Sequence, residues 1–199
     1  MNRGIGIIVN NQLDFLQTTL GSIYGMDGIG DWNTYLYFNG SLTTQEYAET
    51  INTISCYPTT KASFSPKHLG TLENYLRGIR DLFYIEKCDL ILVTEAGVIL
   101  KRETLTFLQD FVKQDAFFYC LCSGPTSPFS YLPTFNSLVW AMERECFEAL
   151  DHWLKLRSYI PPTDRPLNEV FSLFLERTGA KAKTGTESYG TLLKDLLCI

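Results

Sequence analysis

Residues 67–100 read KHLGTLENYLRGIRDLFYIEKCDLILVTEAGVIL. Leu72, Leu76, Ile79 and Phe83 recur at helical spacing, and the helix leads into the apolar run Leu90-Ile91-Leu92-Val93. A run so short and so uniformly apolar reads as a buried strand. It ends at one carboxylate, Glu95, followed by Ala96 and Gly97. Helix, buried strand and polar tip form the repeating unit of an open α/β sheet, in which ligands are held at the carboxyl ends of the strands.

The alternation extends in both directions. Upstream, Ile5 to Val9 is a strand flanked by Gly4 and Gly6, a pattern that demands close backbone approach, and it ends at Asn10-Asn11. A helix from Gln12 to about Tyr24 carries Leu13, Leu16, Leu20 and Ile23 on one face. Tyr35 to Phe38 is a strand with the tip Asn39-Gly40-Ser41; a helix capped by Thr43 or Thr44 turns Tyr47, Ile51 and Ile54 inward; Lys61 to Phe64 is a third strand. Downstream, Arg102 to Val112 is helical, and strand-like pieces cover Phe117 to Leu121, Tyr131 to Phe135 and Ser137 to Trp140. An amphipathic helix spans Glu143 to about Leu156. A last long helix begins near Pro166, with Asp164 as its N-cap or first-turn acid, and stops at Thr178-Gly179; the tail gives a short strand or loop and a terminal helix. The whole predicts one α/β domain over residues 1–199: a mostly parallel sheet, mixed in its second half, with helices on both faces.

Composition narrows the function. The chain has 199 residues, 45% hydrophobic and 20% charged, with a net charge of −5 and no basic run, which argues against a duplex nucleic acid partner. No stretch approaches the ~18 apolar residues of a membrane span, and the start is too polar for a signal peptide. The six cysteines read as reduced thiols of a cytoplasmic protein, with Cys120-Leu-Cys122 too isolated to signal a metal site.

Taken in order, these pieces resemble an inverting GT-A fold glycosyltransferase of the family 2 type. Ile7-Ile8-Val9-Asn10-Asn11 is similar to that family's first strand and its tip. Leu16-Gln17-Thr18-Thr19-Leu20-Gly21-Ser22-Ile23 is similar to the helix that follows. Phe38-Asn39-Gly40-Ser41 matches the family's Asn-Gly-Ser, with Phe38 where an acid is usual; Leu69-Gly70, Asn74 and Gly78 look like its glycine-rich approach and helix. Thr94-Glu95-Ala96-Gly97-Val98 occupies the place of its Asp-Xaa-Asp motif, Ser137 to Leu150 resembles its acceptor-side segment, and Thr163-Asp164-Arg165-Pro166-Leu167 falls where it carries the catalytic acid. The resemblance covers residues 5 to about 185. It implies a nucleotide-binding half over 1–100, an acceptor-side half over 101–199, and transfer of a hexosyl group from a nucleoside-diphosphate sugar, first of all a UDP-sugar, to a glycan or other hydroxyl acceptor.

It also assigns roles. Asp164 is the candidate general base, with Glu169 and Glu145 as fallbacks. Asn10, Asn11 and Asn39 are candidates for the base, Asn74 and Glu95 for the same nucleotide site, and Trp140 for stacking on a sugar ring. Arg165, Lys181 and Lys183 are candidates for the diphosphate. Family members hold Mn²⁺ or Mg²⁺ through the last acid of the motif, where this chain has Gly97; a hard cation needs mostly carboxylate oxygens, which disfavours a metal and leaves three readings: metal-independent transfer, an ion held differently through Glu95 and water, or a lost activity. Each residue also has a plain structural reading: Asp164 as a helix cap, the asparagines as turn formers, Trp140 as core and the lysines as a solvated turn. The rival functions are a catalytically inactive nucleotide-sugar binder or scaffold, for which the missing acids speak, and a nucleotidyltransferase of similar topology, against which the absence of a basic glycine-rich loop after the first strand speaks.

Overall fold

The computed structural model describes residues 1–10, 13–40, 42–58, 61–112, 116, 118–121, 131–132, 139–156, 167–184 and 190–192; for 111, 131–132, 183–184 and 190–192 only the backbone is described. The elements in chain order are β1 (Arg3–Val9), α1 (Leu16–Tyr24), β2 (Asn33–Phe38), α2 (Thr44–Ser55), β3 (Lys61–Phe64), α3 (Thr71–Arg80), β4 (Leu90–Glu95), β5 (Val98–Leu100), α4 (Thr104–Phe111), β6 (Phe118–Cys120), β7 (Tyr131–Leu132), β8 (Val139–Glu143), α5 (Arg144–Leu156), α6 (Leu167–Thr178), β9 (Ala182–Thr184) and β10 (Gly190–Leu192).

The main sheet has the order β3-β2-β1-β4-β8-β6-β9-β7. The neighbours β3, β2, β1 and β4 are parallel, as the sequence predicts, with Ile8 beside Tyr37 on one flank and Glu95 on the other. The mixed half follows: β8 is antiparallel to both β4 and β6, β9 is parallel to β6, and β7 is antiparallel to β9. A second, two-stranded sheet pairs β5 with β10. Neither of these short strands is anticipated; the tail residues 190–192 form strand, and 193–199 lie outside the described residues.

Strand alternation divides the core in two. Ile8, Tyr37, Ile91 and Val93 face α3, α5 and α6, where Leu76, Phe147 and Phe171 pack. Ile5, Ile7, Val9, Leu36 and Leu92 face α1 and α4, where Leu20, Ile23 and Leu105 pack. Successive strand residues point to opposite faces, so two helical layers enclose a sheet apolar on both sides. The close approach demanded by the β1 glycines is real: a Cβ on Gly6 would lie 2.8 Å from Leu82 Cδ1.

Two local departures have physical causes. Past Arg80 the helix widens into a π turn, Asp81–Ile85, closed by the Glu86 amide donating to the Asp81 carbonyl at 2.9 Å. The wider turn buries both Leu82 and Phe83. α2 starts at a Thr43 cap, as expected, which a capping box with Glu46 completes; of its three expected inward residues Ile54 packs against the core, and two do not. Tyr47 and Ile51 are 48% and 40% exposed, and Thr50 is the one buried residue of the helix. Tyr47 sets its ring against Phe64 of the edge strand β3, with centroids 5.2 Å apart. Cys56, Cys88, Cys120 and Cys146 are free thiols, and among the described residues no helix is long and apolar enough to cross a membrane.

Candidate functional site

The parallel strands β1, β2 and β4 end at one edge of the sheet, and their tips are Asn10, Asn39-Gly40 and Glu95. The Asn39 amide donates to the Val9 carbonyl at 2.8 Å and the Ala96 amide to the Ile8 carbonyl at 2.9 Å, which carries the ladder one residue beyond the strands on both sides of β1. The β2 tip is pinned further. Its Phe38 carbonyl accepts from Ser65 N–H and from Arg77 Nη2, each at 3.1 Å. Gly40 follows with φ 93°, a conformation L side chains rarely adopt, and a Cβ there would press on the His68 backbone at 3.3 Å.

α3 lays adjacent residues on adjacent strands. Asn74 Nδ2 donates to Asn10 Oδ1 and to the Tyr37 carbonyl, both at 3.3 Å. Tyr75 next to it donates its hydroxyl to Glu95 Oε1. Burial, then the neighbouring Glu95 charge, raise the Tyr75 phenol well above its ordinary value, so it remains a donor. Asn39 completes the set: its Nδ2 donates to Asn10 Oδ1 at 3.1 Å, and its Oδ1 accepts from the Leu69 amide at 2.7 Å. Three asparagines from three elements thus form one amide network. Beside it, Asn10, Leu13, Leu42, Glu46 and His68 line a pocket of about 290 Å³.

The turn after Glu95 leads out of the main sheet into β5, which pairs with β10. Gly97 takes φ 94°, and its amide donates to the buried Thr19 hydroxyl of α1 at 2.9 Å, while Ser22 of the same helix accepts from the Leu100 amide at 3.1 Å. In the sequence Thr19 and Ser22 stand only in the α1 pattern; in the fold they tie the turn and β5 to α1. This geometry bears on the metal that the resemblance implies. The residue two beyond Glu95 has no side chain and its backbone serves the turn, and Glu95 is hydrogen-bonded by Tyr75. Among the described residues no group of three or more His, Cys, Asp or Glu side chains converges. The donor set at this tip does not fit a hard divalent cation, which needs several oxygen ligands.

The predicted site residues divide accordingly. Asn10, Asn39, Asn74 and Glu95 come together at the carboxyl edge. Asn74, though, is wholly buried, so it holds Asn10 in place and does not itself reach a ligand, a correction to its expected role. Trp140 is a second correction. It is 0% exposed, set edge-on against Phe118 and Phe171, because its strand position points into the α3–α5–α6 layer, so its ring faces are closed to a sugar. Lys181 is a third. It precedes Ala182, which pairs with Phe118 at the start of β6, so it sits at the opposite edge of the sheet from Asn10. Lys183 lies mid-strand opposite Tyr119. Asn11, Asp164 and Arg165 lie outside the described residues. Tyr75 and Glu46 are not anticipated as site residues; Tyr75 is foreshadowed only by its place beside Asn74 on the sheet-facing side of α3.

No protein-family model and no curated protein sequence matches the chain. Solved structures do. The mannosyltransferase PcManGT from Pyrobaculum calidifontis, in complex with GDP-Man and Mn²⁺, superposes with a TM-score of 0.60 at 15% identity, over 92% of this chain and 54% of that one. S. aureus TarS in complex with UDP-GlcNAc superposes at 0.61 and 12% identity, over 96% and 58%. This chain therefore spans little more than half the length of either. A cytidylyltransferase from Leptospira borgpetersenii superposes at 0.59 and 12% identity, over 94% and 76%, so the likeness carries architecture and not reaction. The architecture is GT-A-like: a parallel half, β3-β2-β1-β4, continued by a mixed half.

Proposed function

We propose that the protein transfers a hexosyl group from a nucleoside-diphosphate sugar to a hydroxyl acceptor, with inversion. The observation that carries this reading is the convergence of Asn10, Asn39 and Glu95 on the carboxyl ends of β1, β2 and β4 in a GT-A-like sheet. Strand ends of this topology are where such sheets hold nucleotides. The neighbouring structures that carry GDP-Man and UDP-GlcNAc support the ligand class. In this reading the pocket beside Asn10 takes the base, and Glu95, oriented by Tyr75, faces the ribose. The acceptor oxygen attacks the anomeric carbon as the bond to the diphosphate breaks, and the acceptor proton passes to the Asp164 carboxylate. Arg165 and Lys183 are the proposed counter-charges for the leaving diphosphate, and the transfer runs without a dedicated metal.

A second reading is favoured by one observation: Gly97 is committed to a turn where a ligating acid is usual, which suits a non-catalytic nucleotide-sugar binder. Thermal unfolding with UDP, GDP and their sugars, each with and without EDTA, tests the common part. A ligand at a hundredfold over its Kd stabilises the fold by about 2.7 kcal/mol. No response to any of them would remove both readings. Binding without turnover of the donor, over a panel of hydroxyl acceptors, would leave the second.

A further inference from the structure

The amide network fixes which way Asn10 presents itself. Two backbone groups set its polarity from the outside. The Tyr37 carbonyl needs a donor, so Asn74 turns Nδ2 toward it; the Leu69 N–H needs an acceptor, so Asn39 turns Oδ1 toward it. Both remaining contacts then run from nitrogen to the Asn10 oxygen, which accepts at 3.1 Å from Asn39 and at 3.3 Å from Asn74. The Asn10 oxygen is consumed inside the protein, and its half-buried NH₂ is what the pocket meets. Asn39 also lines the pocket, but it is buried and bonded through both ends of its amide, and its part here is to orient Asn10.

Glu46 supplies the opposite polarity on the same pocket. Its Oε2 accepts from the Thr43 amide at 2.8 Å and from the Thr43 hydroxyl at 2.7 Å, which orients the carboxylate and leaves Oε1 outside the capping box. Those two hydrogen bonds also lower its pKa, so it stays ionised near neutrality. Leu13 and Leu42 line the same space and suit a flat ring.

We infer that Asn10 and Glu46 form a base-reading pair that selects a nucleotide whose base carries a ring N–H beside a carbonyl, uracil or guanine, over cytosine and adenine. The carbonyl accepts from the Asn10 amide and the ring N–H donates to Glu46. Cytosine and adenine place an unprotonated ring nitrogen where that N–H would be, and its lone pair faces the carboxylate. The inference rests on the proposed nucleotide site. It deepens that reading by naming Glu46, on α2, as the acceptor that the β2 tip does not supply.

The test is calorimetric titration of UDP, GDP, CDP and ADP into the wild-type protein and into Glu46→Gln. Gln keeps an acceptor for the capping box and adds a donor, and thermal unfolding checks that the variant is folded. UDP or GDP should bind at least about tenfold more tightly than CDP and ADP, since a site that hydrogen-bonds its ligand rejects one lacking the matching group. The ratio between UDP and GDP decides which of the two bases is the natural one. In Glu46→Gln the preference should narrow, with CDP gaining and the favoured nucleotide losing affinity. Equal wild-type affinities, or an unchanged preference in Glu46→Gln, would overturn the base-reading pair while leaving the nucleotide site standing. Binding of none of the four would overturn the site and the pair together.

Discussion

The hydroxyl of Tyr75, on the sheet-facing side of α3, donates to the carboxylate of Glu95 at the tip of β4. The donor is buried and the acceptor is half-buried, so the bond links the packing of a helix to the orientation of the one acid at the strand tips. Tyr75→Phe keeps the ring and removes only the donor. Hydrogen bonds to charged groups contribute about 1.5–3 kcal/mol, and denaturant unfolding should show a loss in that range with an unchanged m-value. A loss under about 0.5 kcal/mol would show that water replaces Tyr75 and that Glu95 is not held by it.

Gly78 is the second position where α3 depends on the sheet. A Cβ there would lie 3.0 and 3.1 Å from Tyr37 ring atoms and 3.1 Å from Ile8 Cδ1, both residues being buried. Alanine would gain about 1 kcal/mol of helix propensity, but overpacking a closed contact costs about 1–3 kcal/mol. Gly78→Ala should therefore destabilise by about 1 kcal/mol net. Because Asn74 and Tyr75 ride on the same helix, nucleotide affinity should fall with it. A more stable variant would mean that the helix moves off the sheet without penalty.

How much of this was legible in the sequence follows from the range of the forces involved. The strands β1, β2 and β4 are apolar on both faces and announce themselves by composition alone, and their polar tips mark the ligand edge. The helix α2 does not reveal its inward face. Its apolar side is built from Tyr47, Ile51 and Ile54, yet beside the edge strand β3 only Ile54 packs into the core, while Tyr47 and Ile51 stay largely exposed. Trp140 sits on a strand buried on both sides, where no alternation tells core from cleft. The asparagine network joins residues 29 and 64 positions apart, a pairing that no local pattern encodes. The turn at Gly97 was visible as a departure from a motif, but its cause, a positive φ and a bond to Thr19, is three-dimensional.

Asp151 offers a pH prediction. It is 1% exposed and accepts from Arg80 at 3.0 Å, Tyr84 at 2.7 Å and Lys155 at 2.6 Å, tying α5 to α3 and its π turn. Burial raises its pKa, but the hydrogen bonds from Lys155, Tyr84 and Arg80 outweigh this and hold it below the ordinary 3.8. A carboxylate whose folded pKa is depressed stabilises fully above its unfolded pKa, and that contribution is lost as pH falls through the folded value. Wild-type stability should thus decline below about pH 4, and Asp151→Asn should be flatter there. At pH 7 the variant should lose about 1.5 kcal/mol, the low end for charged hydrogen bonds, because Arg80 and Lys155 are 42% and 65% exposed and screened. Parallel pH profiles for the two proteins would count against the assignment.

The proposed base is tested by Asp164→Asn. Asparagine matches aspartate in size and shape, and the two serve about equally at a helix start, the plain reading of Asp164 in the sequence, so the variant should fold with unchanged stability. It cannot accept the acceptor proton, and turnover of the donor should fall by roughly 10²-fold or more while nucleotide affinity holds. Full turnover would remove Asp164 from the mechanism and shift the role to Glu169 or Glu145.

Gly97→Asp tests why the strand tip carries one acid. The substitution restores a second carboxylate two residues beyond Glu95, at a position with φ 94°. An L side chain in that region costs about 1 kcal/mol, the low end applying to Asp, whose short polar chain tolerates it best. In EDTA the variant should be less stable than wild type by about that amount. Two carboxylates and water make a better seat for a hard cation than one. Manganese should therefore return stability to the variant, by about 1.4 kcal/mol at ten times its Kd, and leave the wild type unmoved. Equal stabilisation of both proteins would show that the wild type already binds the ion through other groups, and the metal-free reading of the transfer would fall. Equal stability of both in EDTA would show that the turn accepts a side chain freely, so that its geometry does not account for glycine at 97.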